Sequence, residues 1–172
     1  GTDLDVPAGS VININGTNAL TITLSTGATG AVVGNMTYSN AAHKMDAADA
    51  SSITFSSPAV FTQGIGCTGN VFTNVGAQNV IVFGSGTTFL QQAGTNPFGL
   101  GQPNSKVVFQ TGSLFKMQAN ITPAFSGRTY ADFELDFAGA ILNTSGGSAL
   151  SIDNLTVTQG TLNSGMTGTT GH

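Results

Sequence analysis

The stretch RTYADFELDF, from Arg128 to Phe137, holds the densest set of side chains that could do chemistry. Its even-numbered positions carry Arg128, Tyr130, Asp132, Glu134 and Asp136; its odd ones carry Thr129, Ala131, Phe133, Leu135 and Phe137. Side chains of a β-strand alternate between its two faces, so this spacing puts every charged group on one side. A row of hard carboxylate oxygens suits Ca²⁺. A guanidinium beside it would bind an acidic sugar or help remove its proton, an arrangement that polysaccharide lyases built on β-helices use. The simpler alternative is a wet face that keeps a half-buried strand soluble. Carboxylates on alternate residues have Cα atoms about 7 Å apart, so sharing an ion tightly needs help from a neighbouring strand.

Other chemical groups are sparse. SNAAHKMDAADA, Ser39 to Ala50, reads as a loop or short helix with Ser39 or Asn40 as cap. On such a helix His43, Asp46 and Asp49 would share a face, a weak metal set. Cys67 is the lone cysteine, which excludes an intrachain disulfide and reads as a small buried thiol. Neither His43 nor His172 is placed by sequence to activate it. Thr21 and Thr23, and Thr156 and Thr158, are the strong Thr-x-Thr pairs, too far apart to build a flat surface-binding face. No cofactor is expected, Ca²⁺ on the acidic row being the single alternative.

The elements that must position these groups follow from composition and repetition. The chain has 172 residues with four basic and eight acidic side chains, and none charged between Ala50 and Ser105. A net charge of −4 without basic clusters argues against nucleic acid, whose phosphates need Lys and Arg. No apolar run approaches the ~18–20 residues of a membrane-spanning helix, so membrane insertion is not expected. Gly and Asn punctuate turns, while Val, Thr and Phe favour strands, which makes the chain all-β.

One phrase recurs. Phe55, Phe83 and Phe109 share a position, as do Phe61, Phe89 and Phe115, and again Phe72, Phe98 and Phe125. Gly, Ser or Pro bounds short alternating runs such as GSVINI, PAVFTQ, GTTFLQ, GSLFKM and GSALSI. A period near 27 residues marks a solenoid, because each unit buries its apolar face only against its neighbours. The spacing predicts a right-handed parallel β-helix of about six coils and about three strands per coil, with the phenylalanines in vertical stacks. A β-sandwich, the rival, gives no reason for three columns of nearly one offset. Asn70 and Asn96 would form a short amide ladder, broken where Pro123 takes the third place. The long step from Gly27 to Pro58 suggests an insertion near Ser39–Ala50.

SITFSSPAVFTQGIGCTGNVF, VIVFGSGTTFLQQAGTNPFG, VVFQTGSLFKMQ and SGRTYADFELD resemble the repeat regions of large secreted or surface-anchored β-helix proteins of Bacteroidetes-type bacteria. The resemblance covers roughly residues 50–165, and FxQxAGxNPFG is its most specific phrase. It implies an extracellular or cell-surface location and a very long parent chain, and it brings no catalytic residues. The expected function is a non-catalytic structural or adhesive segment, with a carbohydrate-binding or lyase-type module as the alternative and an ice- or surface-binding solenoid behind it. Residues 1–172 read as one β-helix segment cut from a longer chain. Its expected partners are neighbouring coils of that chain, surface glycans, and further copies docking end to end on an open C-terminal edge.

Overall fold

A computed structural model describes residues 3–167, and these contain strands and turns but no helix. Sixteen strands, numbered in chain order, stack as parallel ladders. The first sheet runs β1 (Leu4–Val6), β4 (Gly30–Val32), β7 (Ile53–Phe55), β9 (Ile81–Phe83), β11 (Val107–Phe109). The second runs β2 (Val11–Ile14), β5 (Asn35–Tyr38), β8 (Val60–Gln63), β10 (Thr88–Gln91), β12 (Leu114–Met117), β14 (Asp132–Gly146), β16 (Asn154–Met166). Two short pairs complete the coils: β3 (Thr21–Leu24) with β6 (Lys44–Ala47), and β13 (Arg128–Thr129) with β15 (Leu150–Ser151). The result is a β-solenoid of about seven turns, one more than the spacing predicts.

The extra turn comes from the ends of the chain, where apolar columns persist after phenylalanine has been replaced. Along the second sheet Ile12, Met36, Phe61, Phe89, Phe115, Phe133 and Leu155 occupy successive coils in register. Phe61 and Phe89 stack at 5.6 Å between centroids, Phe89 and Phe115 at 5.1 Å, Phe115 and Phe133 at 5.4 Å. In the first sheet Phe55, Phe83 and Phe109 stack at 4.4 and 5.3 Å, and Tyr130 continues them at 6.0 Å. The two columns meet edge to face, as between Phe83 and Phe89 at 5.7 Å. Both geometries suit the ring quadrupole, and each fully buried ring contributes roughly 1.5–3 kcal/mol from removal of apolar area alone. The third column is buried too, with Phe72 bridging Met45, but its rings pack against the other columns rather than on one another.

Four-residue turns join the first sheet to the second. Ser10 N–H donates to Pro7 C=O, Ala59 to Ser56, Thr87 to Gly84 and Ser113 to Gln110. Their third residues are Gly9, Pro58, Gly86 and Gly112, the glycines at φ between +75° and +82° and Pro58 following a cis peptide bond. A positive φ at that place favours glycine. A Cβ on Gly86 would also lie 2.8 Å from Ser57 Oγ of the coil below.

Two expectations are corrected here. Ser39–Ala50 is neither a helix nor an insertion: Lys44–Ala47 is strand β6, paired with β3. Met45 and Ala47 point inward and are buried, while Lys44 and Asp46 point outward, the period of two that short Ala-rich text disguises. The long step arose from matching Gly27 to the wrong corner; in the second coil Val33 and Gly34 turn directly, both N–H groups donating to Val6 C=O. The amide ladder between Asn70 and Asn96 is also absent, because Asn96 Oδ1 accepts from the Phe98 N–H at 3.1 Å. A ladder of that kind joins Asn143 and Asn163 instead, at 3.0 Å.

Candidate functional site

The strand that carries the acidic row begins at Asp132, not at Arg128. β13 ends at Thr129, and the corner at Tyr130 and Ala131 breaks the alternation. Tyr130 therefore turns into the core, 1% exposed, and donates its hydroxyl to Ala124 C=O at 2.9 Å. Burial pushes its phenol pKa far up. Arg128 is buried as well, with its guanidinium carbon 4.6 Å from the Phe98 ring centroid. Of the five residues on the expected face, Asp132, Glu134 and Asp136 alone share it.

Those three carboxylates are met by partners from the coils on either side. Asp132 accepts from Asn154 Nδ2 at 2.6 Å. Glu134 accepts from Lys116 Nζ at 3.1 Å and from Thr158 Oγ1 at 2.8 Å. Asp136 lies 2.9 Å from Lys116 Nζ and accepts from Gln118 and Gln159 amides at 3.1 and 2.9 Å. Lys116 sits between the two carboxylates, which raise its pKa, Asp136 first. The Lys116 and Gln118 hydrogen bonds hold Asp136 below the ordinary carboxylate value. Gln92 reaches Gln118 at 3.4 Å, so Gln92, Gln118, Asp136 and Gln159 form one outer ladder across four coils. Beside it Phe137 and Ile65 are 40% and 76% exposed, and together they border a shallow groove.

The other chemical candidates are separated and individually engaged. His43 Nδ1 accepts from Leu20 N–H at 3.0 Å, which leaves the proton on Nε2 to bond Gly16 C=O, also at 3.0 Å. Asp49 accepts from Gly27 N–H at 2.6 Å. Asp46 meets Lys106 Nζ at 2.6 Å, a charge contact whose geometry is not that of a hydrogen bond, while Lys106 donates to Ala77 C=O at 2.8 Å. Cys67 is buried, its thiol 3.0 Å from Tyr38 C=O, and burial raises its pKa. His172 lies outside the described residues. Among the described residues no three His, Cys, Asp or Glu side chains converge to hold a metal. Comparison with protein-family models, with curated proteins and with solved structures finds no match to this chain.

Thr21 and Thr23 are followed in the next coil by Lys44 and Asp46, so the threonine rank stops after one coil. Thr158 is occupied by Glu134. The sequence reading missed Lys116, Gln118 and the Lys106–Asp46 pair. Extending the second phenylalanine column one coil further was the available signal for two of them. It aligns Phe115-Lys116-Met117 with Phe133-Glu134-Leu135 and sets a base opposite an acid. Nothing in the text links Lys106 to Asp46, which sit in non-adjacent coils 60 positions apart.

Proposed function

We propose that this chain is a non-catalytic structural or adhesive segment of a larger extracellular surface protein. One observation carries the reading: Asp132, Glu134 and Asp136 are each engaged by side chains of the adjacent coils rather than left free to act on a bound molecule. Catalysis requires a base or nucleophile and its orienting group within hydrogen-bond reach of one reacting atom. These groups instead tie one coil to the next, which is what a rod under load needs. Among the described residues β16 is the outermost strand of the second sheet, and an edge of that kind can receive a further coil or copy, in keeping with the same reading. The resemblance to secreted repeat proteins agrees with an extracellular location.

The second reading is a carbohydrate-binding face, and the ladder of amides and carboxylates beside exposed Phe137 favours it. Planar amides and carboxylates match vicinal hydroxyls, and an apolar ring covers a sugar face. A glycan array probed with and without Ca²⁺ separates the readings. A structural segment gives no specific signal; sugar binding that disappears in Asp132→Asn, Glu134→Gln or Asp136→Asn establishes the carbohydrate face. Antibody labelling of intact against lysed cells tests the location, and signal confined to lysed cells refutes it.

A further inference from the structure

The first sheet stops at β11. β13, the strand of the next coil, pairs with β15 and not with β11. The break opens a cleft of about 610 Å³ whose walls include Val107, Val108, Arg128, Thr129, Ala149 and Ser151. That volume is typical of small-molecule sites. A peptide strand is not its natural occupant, because Ser105 Oγ already takes both backbone polar groups of Val107. It accepts from the N–H at 3.0 Å and donates to the C=O at 2.7 Å.

Arg128 stands on this wall at 8% exposure. Its Nη1 donates to Asn104 C=O and its Nη2 to Leu100 C=O at 2.7 Å, which engages two of its five N–H donors. The ion pairs among the described residues involve Lys106 and Lys116, and none reaches Arg128. The contrast with Lys106, buried still more deeply but matched by Asp46, is informative. Arg128 keeps a permanent charge largely buried against two carbonyl dipoles and the Phe98 face, with no counter-charge among the described residues. A buried charge in that condition is costly unless something compensates it.

We propose that the cleft binds a small carboxylate, with the ligand's anion completing Arg128. A single guanidinium with free donors matches one planar carboxylate through paired hydrogen bonds. Val107, Val108 and Ala149 offer an apolar wall for the body of the ligand, while Thr129 and Ser151 offer hydroxyls at its edge. A uronic sugar and an aromatic or aliphatic acid share this chemistry. The site is separate from the outer ladder and does not depend on it.

The test is an NMR titration of the full chain with galacturonate and with phenylacetate, against galactose and methyl phenylacetate as uncharged counterparts. The proposal expects saturable shifts at Thr129 and Ser151 with at least one acid, and at least about tenfold weaker binding of its neutral counterpart. Whichever acid binds more tightly identifies the source as sugar or hydrophobic acid. Arg128→Gln should abolish binding. If that variant does not fold, Ala149→Trp places a large ring in the cleft from an exposed position while leaving Arg128 in the sequence, and should abolish binding while circular dichroism stays unchanged. Three results overturn the proposal: no saturation by either acid up to about 10 mM, equal binding of acid and neutral counterpart, or binding that survives Ala149→Trp.

Discussion

Replacing Asp46 by Asn should destabilise the protein far more than replacing Lys106 by Met, although both break one ion pair. The Lys106 side chain is 0% exposed and that of Asp46 is 17% exposed. Asp46→Asn strands a charged ammonium out of water with one carbonyl, Ala77, for company. Removing one partner of a buried pair costs about 3–5 kcal/mol, and the partial exposure of this site places it near 3. Lys106→Met removes the buried charge itself and keeps an apolar stem of similar length. It leaves Ala77 C=O without its donor and Asp46 free to recover water, a cost of about 1 kcal/mol. The double variant should then resemble Lys106→Met, giving a coupling of about 2–3 kcal/mol. Urea unfolding followed by circular dichroism and by tyrosine fluorescence measures this, with coincident curves establishing a single transition. At a slope near 2 kcal/mol/M, Asp46→Asn lowers the midpoint by roughly 1.5 M. The reasoning is refuted if Lys106→Met costs more than Asp46→Asn, or if the two costs add within about 0.5 kcal/mol.

Phe89→Ala should cost about 4 kcal/mol in the same assay, because the ring is fully buried between Phe61 and Phe115 and its cavity cannot collapse; a loss under 1 kcal/mol contradicts the stacked core. Asp136, with its pKa lowered, contributes stability that is present above its unfolded value near 4 and is lost as pH falls through the folded one. Lys116, with its pKa raised, contributes stability that is present below its unfolded value near 10.5 and is lost as pH rises through the folded one. Thermal melts of wild type and Lys116→Met should therefore converge at both extremes of pH and differ most at neutrality. Cys67 should resist iodoacetamide in the native protein and react promptly in urea, since burial disfavours its thiolate; equal rates would place it on the surface.

The fold was legible because the interior is repetitive. Phenylalanine is large and recognisable, so three columns at one offset allow parallel coils and little else. Legibility ended where the columns change residue: Val6, Val32, Met36 and Tyr130 hold the same inner places without looking like repeats. The acidic row was legible from Asp132 onward, since period 2 holds along a continuous strand. It misled at Arg128 and Tyr130 because a corner resets the alternation, and a corner without glycine or proline leaves no mark in the text. Ser39–Ala50 misled for a related reason, as alanine and aspartate do not favour strands, and tertiary pairing with Thr21–Leu24 overrode that preference. The ties between coils depend on register, so they become visible only after the coils are correctly aligned.

The central claim is that Asp132, Glu134 and Asp136 tie coils together rather than act on a substrate. The direct measurement is release of new reducing ends from acidic polysaccharides, polygalacturonate and alginate among them, incubated with the protein and Ca²⁺. The account predicts no release above the no-protein control, for wild type and for Glu134→Gln alike. Release that is present in wild type and lost in Glu134→Gln or Asp136→Asn, with both variants folded, would contradict it.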